Sequence, residues 1–115
     1  MLWTDYYLKA KIRNMKYSEK LSGITLNIQA VDITIDEDVK DTIRKSISRL
    51  ARYYDKIEYA NIHLEDKKEK STDKKQVSIR LSIPGNDPFA SEYGDNFHAL
   101  LTSVEEKLRR QMEKR

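Results

Sequence analysis

The stretch "ITLNIQAVDITIDEDVKDTIRKSISRLARYY", residues 24–54, carries two hydrophobic periods with a cap between them. Its first seven residues alternate. Ile24, Leu26, Ile28 and Ala30 point one way, and Thr25, Asn27 and Gln29 point the other, the pattern of a half-buried strand. Asp36 then stands as an N-cap, followed by Glu37 and Asp38 in the first turn, where the helix dipole favours anions. Val39, Ile43, Ile47, Leu50 and Tyr54 recur at steps of four, four, three and four. That spacing is one face of an amphipathic helix ending near Tyr54.

Outward from this unit the pattern repeats in kind. "IEYANIHL" (57–64) returns to period two, with Ala60, Ile62 and Leu64 inward. "EDKKEKSTDKK" (65–75) reads as a charged, mobile connection. "QVSIRLSI" (76–83) is a third alternating strand through Val77, Ile79, Leu81 and Ile83. The turn chemistry of "PGNDP" (84–88) predicts a hairpin to a short strand around 88–93. "GDN" (94–96) opens a second helix, whose apolar face is Phe97, Leu100, Leu101, Val104, Leu108 and Met112. The order is β-α-β-β-β-α, an α+β fold with a four-stranded mixed sheet. Strands one and two should be parallel across the helical crossover, and both helices should cover the same apolar sheet face.

At 115 residues the chain holds one domain, placed at 24–115. It has no Cys, which excludes a disulfide framework and a thiolate metal site and suits a reducing cytoplasm. No apolar run approaches the roughly 18 residues of a membrane span, and no secretory signal is recognisable at the start. The net charge is +3, and residues 1–23 carry all of it. Five cations there (Lys9, Lys11, Arg13, Lys16, Lys20) face Asp5 and Glu19, which leaves 17 basic and 17 acidic residues in 24–115. Any affinity for a polyanion must therefore come from where the charges sit. Residues 1–23 read as a loosely attached basic arm. A short helix through Leu2, Tyr6 and Ala10, or a start that belongs at Met15, are the alternatives.

Charge is sorted on both helices. At about 100° per residue from Phe97, the cations Lys107, Arg110 and Lys114 form one stripe bordering the buried face. Glu105, Glu106 and Glu113 fall on the other flank and the back with Arg109, which is expected to matter least. On the first helix the acids gather at the start, while Lys40, Arg44, Lys45, Arg49 and Arg52 make the remainder cationic. Helix-end cations also complement the dipole, which is the plainer explanation of the stripe. Two such helices side by side on one sheet face would offer a basic area suited to phosphate contacts. No aromatic array argues for single-strand readout, which favours backbone and shape recognition of folded RNA.

Three segments together resemble a known family: 25–64, "SIPGNDPFAS" (82–91) and "DNFHALLTSVEEKLRRQMEK" (95–114). The sharpest pieces are "LARYYDKI" (50–57) and "KLRRQM" (107–112). The chain is similar to the ribosome hibernation-promoting factors and ribosome-associated inhibitors, the sigma-54 modulation or S30EA-type proteins, in their short form. The resemblance implies a four-stranded sheet with two helices on one face, similar to double-stranded-RNA-binding domains. It implies binding to the small ribosomal subunit and its ribosomal RNA, in the cleft for messenger and transfer RNA, so that translation stops. The family's RNA contacts, carried over by position, fall on Lys40, Arg49, Arg52, Lys107, Arg110 and Lys114. Arg44 and Lys45 join them as candidates, since a position often basic in the family is Ser46 here. The arm at 1–23 departs from the family, and neither a second domain nor an acidic tail follows the last helix.

The resemblance implies a cytoplasmic protein, monomeric in isolation, with no cofactor, membrane or small-molecule substrate. The residues point away from an enzyme as well. The two His, His63 in a strand and His98 at a helix start, fit structural roles, and no catalytic or nucleotide-binding motif is present. Two other classes compete with ribosome binding: a double-stranded-RNA-binding module off the ribosome, and a protein-interaction domain using the Tyr-rich arm or 65–75.

Overall fold

The computed structural model describes residues 14–31, 33, 35–54, 56–66 and 75–113. Seven elements follow in order: β1 (Asn14–Leu21), β2 (Ile24–Val31), α1 (Glu37–Tyr53), β3 (Tyr59–Asp66), β4 (Lys75–Ser82), β5 (Phe89–Gly94) and α2 (Phe97–Glu113). The sheet order is β1-β2-β3-β4-β5. The β2–β3 pair is parallel across α1, as the crossover predicts, and the other three pairs are antiparallel.

The sheet has five strands, not four. The additional one comes from the segment expected to be a loose arm: residues 14–21 pair along their whole length with 24–31, from Asn14↔Val31 to Leu21↔Ile24. Residues 1–13 lie outside the described residues. A two-residue turn sets the register. Ser22 and Gly23 both have positive φ, 51° and 85°, the mirror-image geometry whose twist matches that of paired strands. Two facts hide the strand in the sequence. Its inward positions are Met15, Tyr17, Glu19 and Leu21, so a carboxylate interrupts the apolar alternation. The turn is also Ser-Gly rather than the commoner Asn-Gly.

The core lies between one sheet face and both helices. Leu26, Ile62, Leu64, Ile79 and Leu81 from the strands are fully buried with Ile43, Ile47 and Leu50 of α1 and Leu101, Val104 and Leu108 of α2. All belong to one cluster. The Asp36 carboxylate accepts from the Val39 amide at 2.9 Å, the N-cap read from sequence. Tyr54 is the C-cap of α1 and is half-buried against the core. Asn96 caps α2 by accepting from the Ala99 amide at 3.1 Å. Gly94 lets β5 meet that helix: a Cβ there would lie 2.9 Å from Leu100 Cδ2. Of the charged connection at 65–75, residues 65, 66 and 75 belong to strands and 67–74 lie outside the described residues.

Candidate nucleic-acid interface

The two helices run side by side in the same direction. Thr42 meets His98 at 2.8 Å, Arg49 meets Glu105 at 2.8 Å, and Arg109 reaches the Tyr53 hydroxyl at 3.5 Å. Each pair is 56 residues apart, and a constant offset requires parallel axes in register. The acidic first turn of α1 therefore sits at one end, and the C-terminal halves of both helices, basic in α1 and charge-balanced in α2, sit together at the other. The negative ends of two helix dipoles point the same way there and favour cations.

A groove between these C-terminal halves is lined by Arg49, Arg52, Tyr53, Thr102, Glu105, Glu106 and Arg109. Arg49 holds Glu105 through two bonds of 2.8 Å, from Nε and Nη2. That fork raises the Arg49 pKa further above its ordinary value. Glu106 Oε1 accepts from Nη2 of both Arg109 and Arg110 at 3.2 Å, so one carboxylate faces two guanidinium groups. The Arg109 guanidinium carbon lies 5.8 Å from the centre of the Tyr53 ring, which is 55% exposed. The Tyr53 hydroxyl contact and then Glu106 raise its pKa. Arg52 and Lys45 are exposed and make no ion pair with any described residue.

The expected basic residues thus separate into three groups. Arg49 and Arg52 share the interhelical groove, and Arg109, set aside on the wheel, stands there with them. Lys107 lies on the opposite flank of α2. Its Nζ is 2.8 Å from Glu92 of β5 and donates to the Ser91 carbonyl at 3.2 Å. With Ser103 as a further donor, Lys107 holds the Glu92 carboxyl below the ordinary carboxylate range. Arg110 is the most open of the paired cations, its side chain 67% exposed. The α2 flank facing α1 is therefore the mixed Glu105, Glu106 and Arg109 flank, while the Lys107 flank borders the sheet edge. Lys114 lies outside the described residues.

The third group is taken up by β1. Arg44 forks onto Glu19 with two bonds of 2.9 Å and also reaches Asp41 at 3.0 Å and Glu37 at 3.5 Å. The Arg44 bond lowers the Glu19 pKa, and the carboxylates raise that of Arg44 beyond its ordinary value. Lys40 lies 4.1 Å from the Tyr17 ring centre and 3.5 Å from Glu37, its side chain only 17% exposed. Ser46 is fully buried, its hydroxyl 3.4 Å from Arg49, so it presents nothing to a partner. Sequence reasoning missed this set because its partner strand was unrecognised. The Ser-Gly step between two alternating runs was the available signal.

Among the described residues no group of three or more His, Cys, Asp or Glu side chains converges as a metal site would require. None of their helices is long and apolar enough to cross a membrane.

The model of the sigma 54 modulation protein / S30EA ribosomal protein family matches residues 26–115. The chain belongs to this family. The match begins within β2, so β1 precedes it. Two curated Pseudomonas putida sequences, each named ribosome hibernation promoting factor, are 27% identical over 89 residues, covering 77% of this chain and 83% of theirs. Two solved structures share the fold. The N-terminal domain of Thermus thermophilus Protein Y superimposes with a TM-score of 0.64 at 18% identity, over 84% of this chain and 98% of that one. A ribosomal subunit interface protein from Coxiella burnetii gives 0.66 at 19% identity, over 79% and 93%.

Proposed function

We propose that this protein binds the small ribosomal subunit in the cleft for messenger and transfer RNA and holds the ribosome silent. The observation that carries this reading is the parallel alignment of α1 and α2, which gathers Arg49, Arg52, Arg109 and Arg110 at one end of the helix pair. That cluster lies inside the family-matched region. The names of the Pseudomonas putida relatives and the Coxiella burnetii protein support the choice of the ribosome as partner. Two helices over one sheet face also resemble the layout of double-stranded-RNA-binding domains, which read shape and backbone rather than base sequence.

The cations take unequal parts in this scheme. Lys45 and Arg52 reach phosphate directly. Arg49, Lys107 and Arg110 exchange a carboxylate partner for phosphate, so each gains less, Arg110 least hindered because it shares Glu106 with Arg109. Lys40 and Arg44 stay bound to β1 and act by shaping α1. Binding needs no cofactor and makes or breaks no covalent bond. The protein acts from the cytoplasm as a monomer, with β1 and 24–115 as one ribosome-binding domain.

Sucrose-gradient sedimentation tests the reading. The protein should migrate with small subunits or intact ribosomes and inhibit translation in a purified system. The double variant Arg52→Ala/Arg110→Ala should stay nearer the top. Its binding should show a salt slope shallower by about 0.9 for each phosphate no longer neutralised. Wild-type protein that remains at the top at low salt and leaves translation untouched would overturn ribosome binding. Equal competition by free duplex RNA would favour an off-ribosome RNA module.

A further inference from the structure

Among the described residues nothing packs on the sheet face opposite the helices, where Lys16, Ser18, Lys20, Gln29, Asn61 and Arg80 are exposed, and its chemistry is one-sided. Across the strands Ser18, Asn27, Asn61, Arg80 and Phe89 stand in one row. Ser18 Oγ donates to Asn27 Oδ1 at 2.8 Å, and Asn27 Nδ2 donates to Asn61 Oδ1 at 2.9 Å. Both amide acceptors are used inside the row, and the Asn61 amide nitrogen is left as its outward group. Arg80 follows, its guanidinium carbon 4.7 Å from the centre of the Phe89 ring, which is 44% exposed. Lys16 and Lys20 of β1 are exposed on the same face. Among the described strand residues, the outward positions carry these three cations and one carboxylate, Glu65, already 3.2 Å from His63.

This surface therefore offers donors, positive charge and an arginine-backed ring, and it asks for an acceptor-rich, anionic, planar partner. We propose that the open sheet face is a second nucleic-acid contact surface, which takes a single RNA strand lying across β1 to β5. Phosphates sit on Lys16, Lys20 and Arg80, and a base stacks on Phe89. Gln29, exposed beside Asn27, supplies both donor and acceptor for a ribose 2′-hydroxyl, which favours RNA over DNA. Two of the three cations belong to β1, which precedes the family match, so the surface is particular to a chain carrying this strand. It faces away from the helix groove and does not depend on ribosome binding through that groove.

Fluorescence anisotropy of the full chain with a labelled 12-nucleotide uridine RNA at low salt tests this. The variant Lys16→Ala/Lys20→Ala/Arg80→Ala should raise the Kd at least tenfold and flatten the salt slope by about 2, at about 0.7 for each single-strand phosphate neutralised. Phe89→Ala should weaken binding about tenfold, the effect of removing one base stack. Arg52→Ala/Arg110→Ala should leave this oligonucleotide's affinity unchanged while reducing sedimentation with ribosomes. Circular dichroism checks that each variant is folded. A folded triple variant that binds as well as wild type would overturn the proposal, as would loss of binding in the helix variant alone. Equal affinity for the matching deoxythymidine strand would remove the RNA assignment. Equal competition by polyglutamate would reassign the face to acidic protein segments.

Discussion

Glu19 occupies an inward position on an edge strand, where an unpaired carboxylate would destabilise the fold. The fork from Arg44 makes the position tenable and holds the Glu19 pKa below the usual carboxylate range. A depressed folded-state pKa contributes stability above the unfolded value and loses it as pH falls through the folded one. Urea midpoints for wild type and Glu19→Gln should therefore differ most at neutral pH and converge between about pH 5 and pH 3. A gap that stays constant with pH would mean that the ion pair is not its source. The same ion pair explains why α1 cations look alike in sequence and differ in the fold. Lys45 and Arg52 remain exposed, whereas Arg44 and Lys40 are held against β1 by residues more than twenty positions away.

At the scale of elements, periodicity was enough for most of the structure. The intervals of α1 placed Ile43, Ile47 and Leu50 inward, and each is fully buried. Ile47→Ala should cost about 2–5 kcal/mol, through lost transfer energy and the cavity left behind. Ser48→Ala, one position along and exposed, should stay within about 0.5 kcal/mol of wild type. Chemical denaturation of both variants checks the pair. Similar losses at the two sites would mean that the amphipathic assignment is wrong. β1 was illegible by the same rule, because Glu19 breaks its apolar alternation and the partner that accommodates it belongs to α1. The sheet therefore gained a strand that single-sequence pattern reading placed outside it.

On the scale of the whole molecule, β1 covers the edge of β2, the strand from which the fold was first read. An exposed edge of eight residues with buried neighbours invites pairing with another chain. A chain starting at residue 24 should lose stability and self-associate, measured by urea denaturation and light scattering. A monomer with an unchanged midpoint would show that β1 adds no cover. The wheel divided α2 into two unlike flanks, and in the fold Lys107 lies toward β5 and Arg109 toward α1, while Arg110 bonds across to Glu106. Which flank meets the other helix was not legible, because a wheel has no information about neighbours.

Local order came from the amino-acid sequence by itself. Strand alternation, the Asp36 and Asn96 caps, the helix faces and the "PGNDP" turn depend on residues within a few positions of one another. Tertiary structure alone decided the fifth strand, the parallel register of the helices and the division of the cations among three environments. Those outcomes rest on pairs of residues 25 and 56 positions apart, such as Arg44 with Glu19 and Arg49 with Glu105. A charge's partner depends on which distant backbone the packing brings beside it, and periodicity carries no record of that.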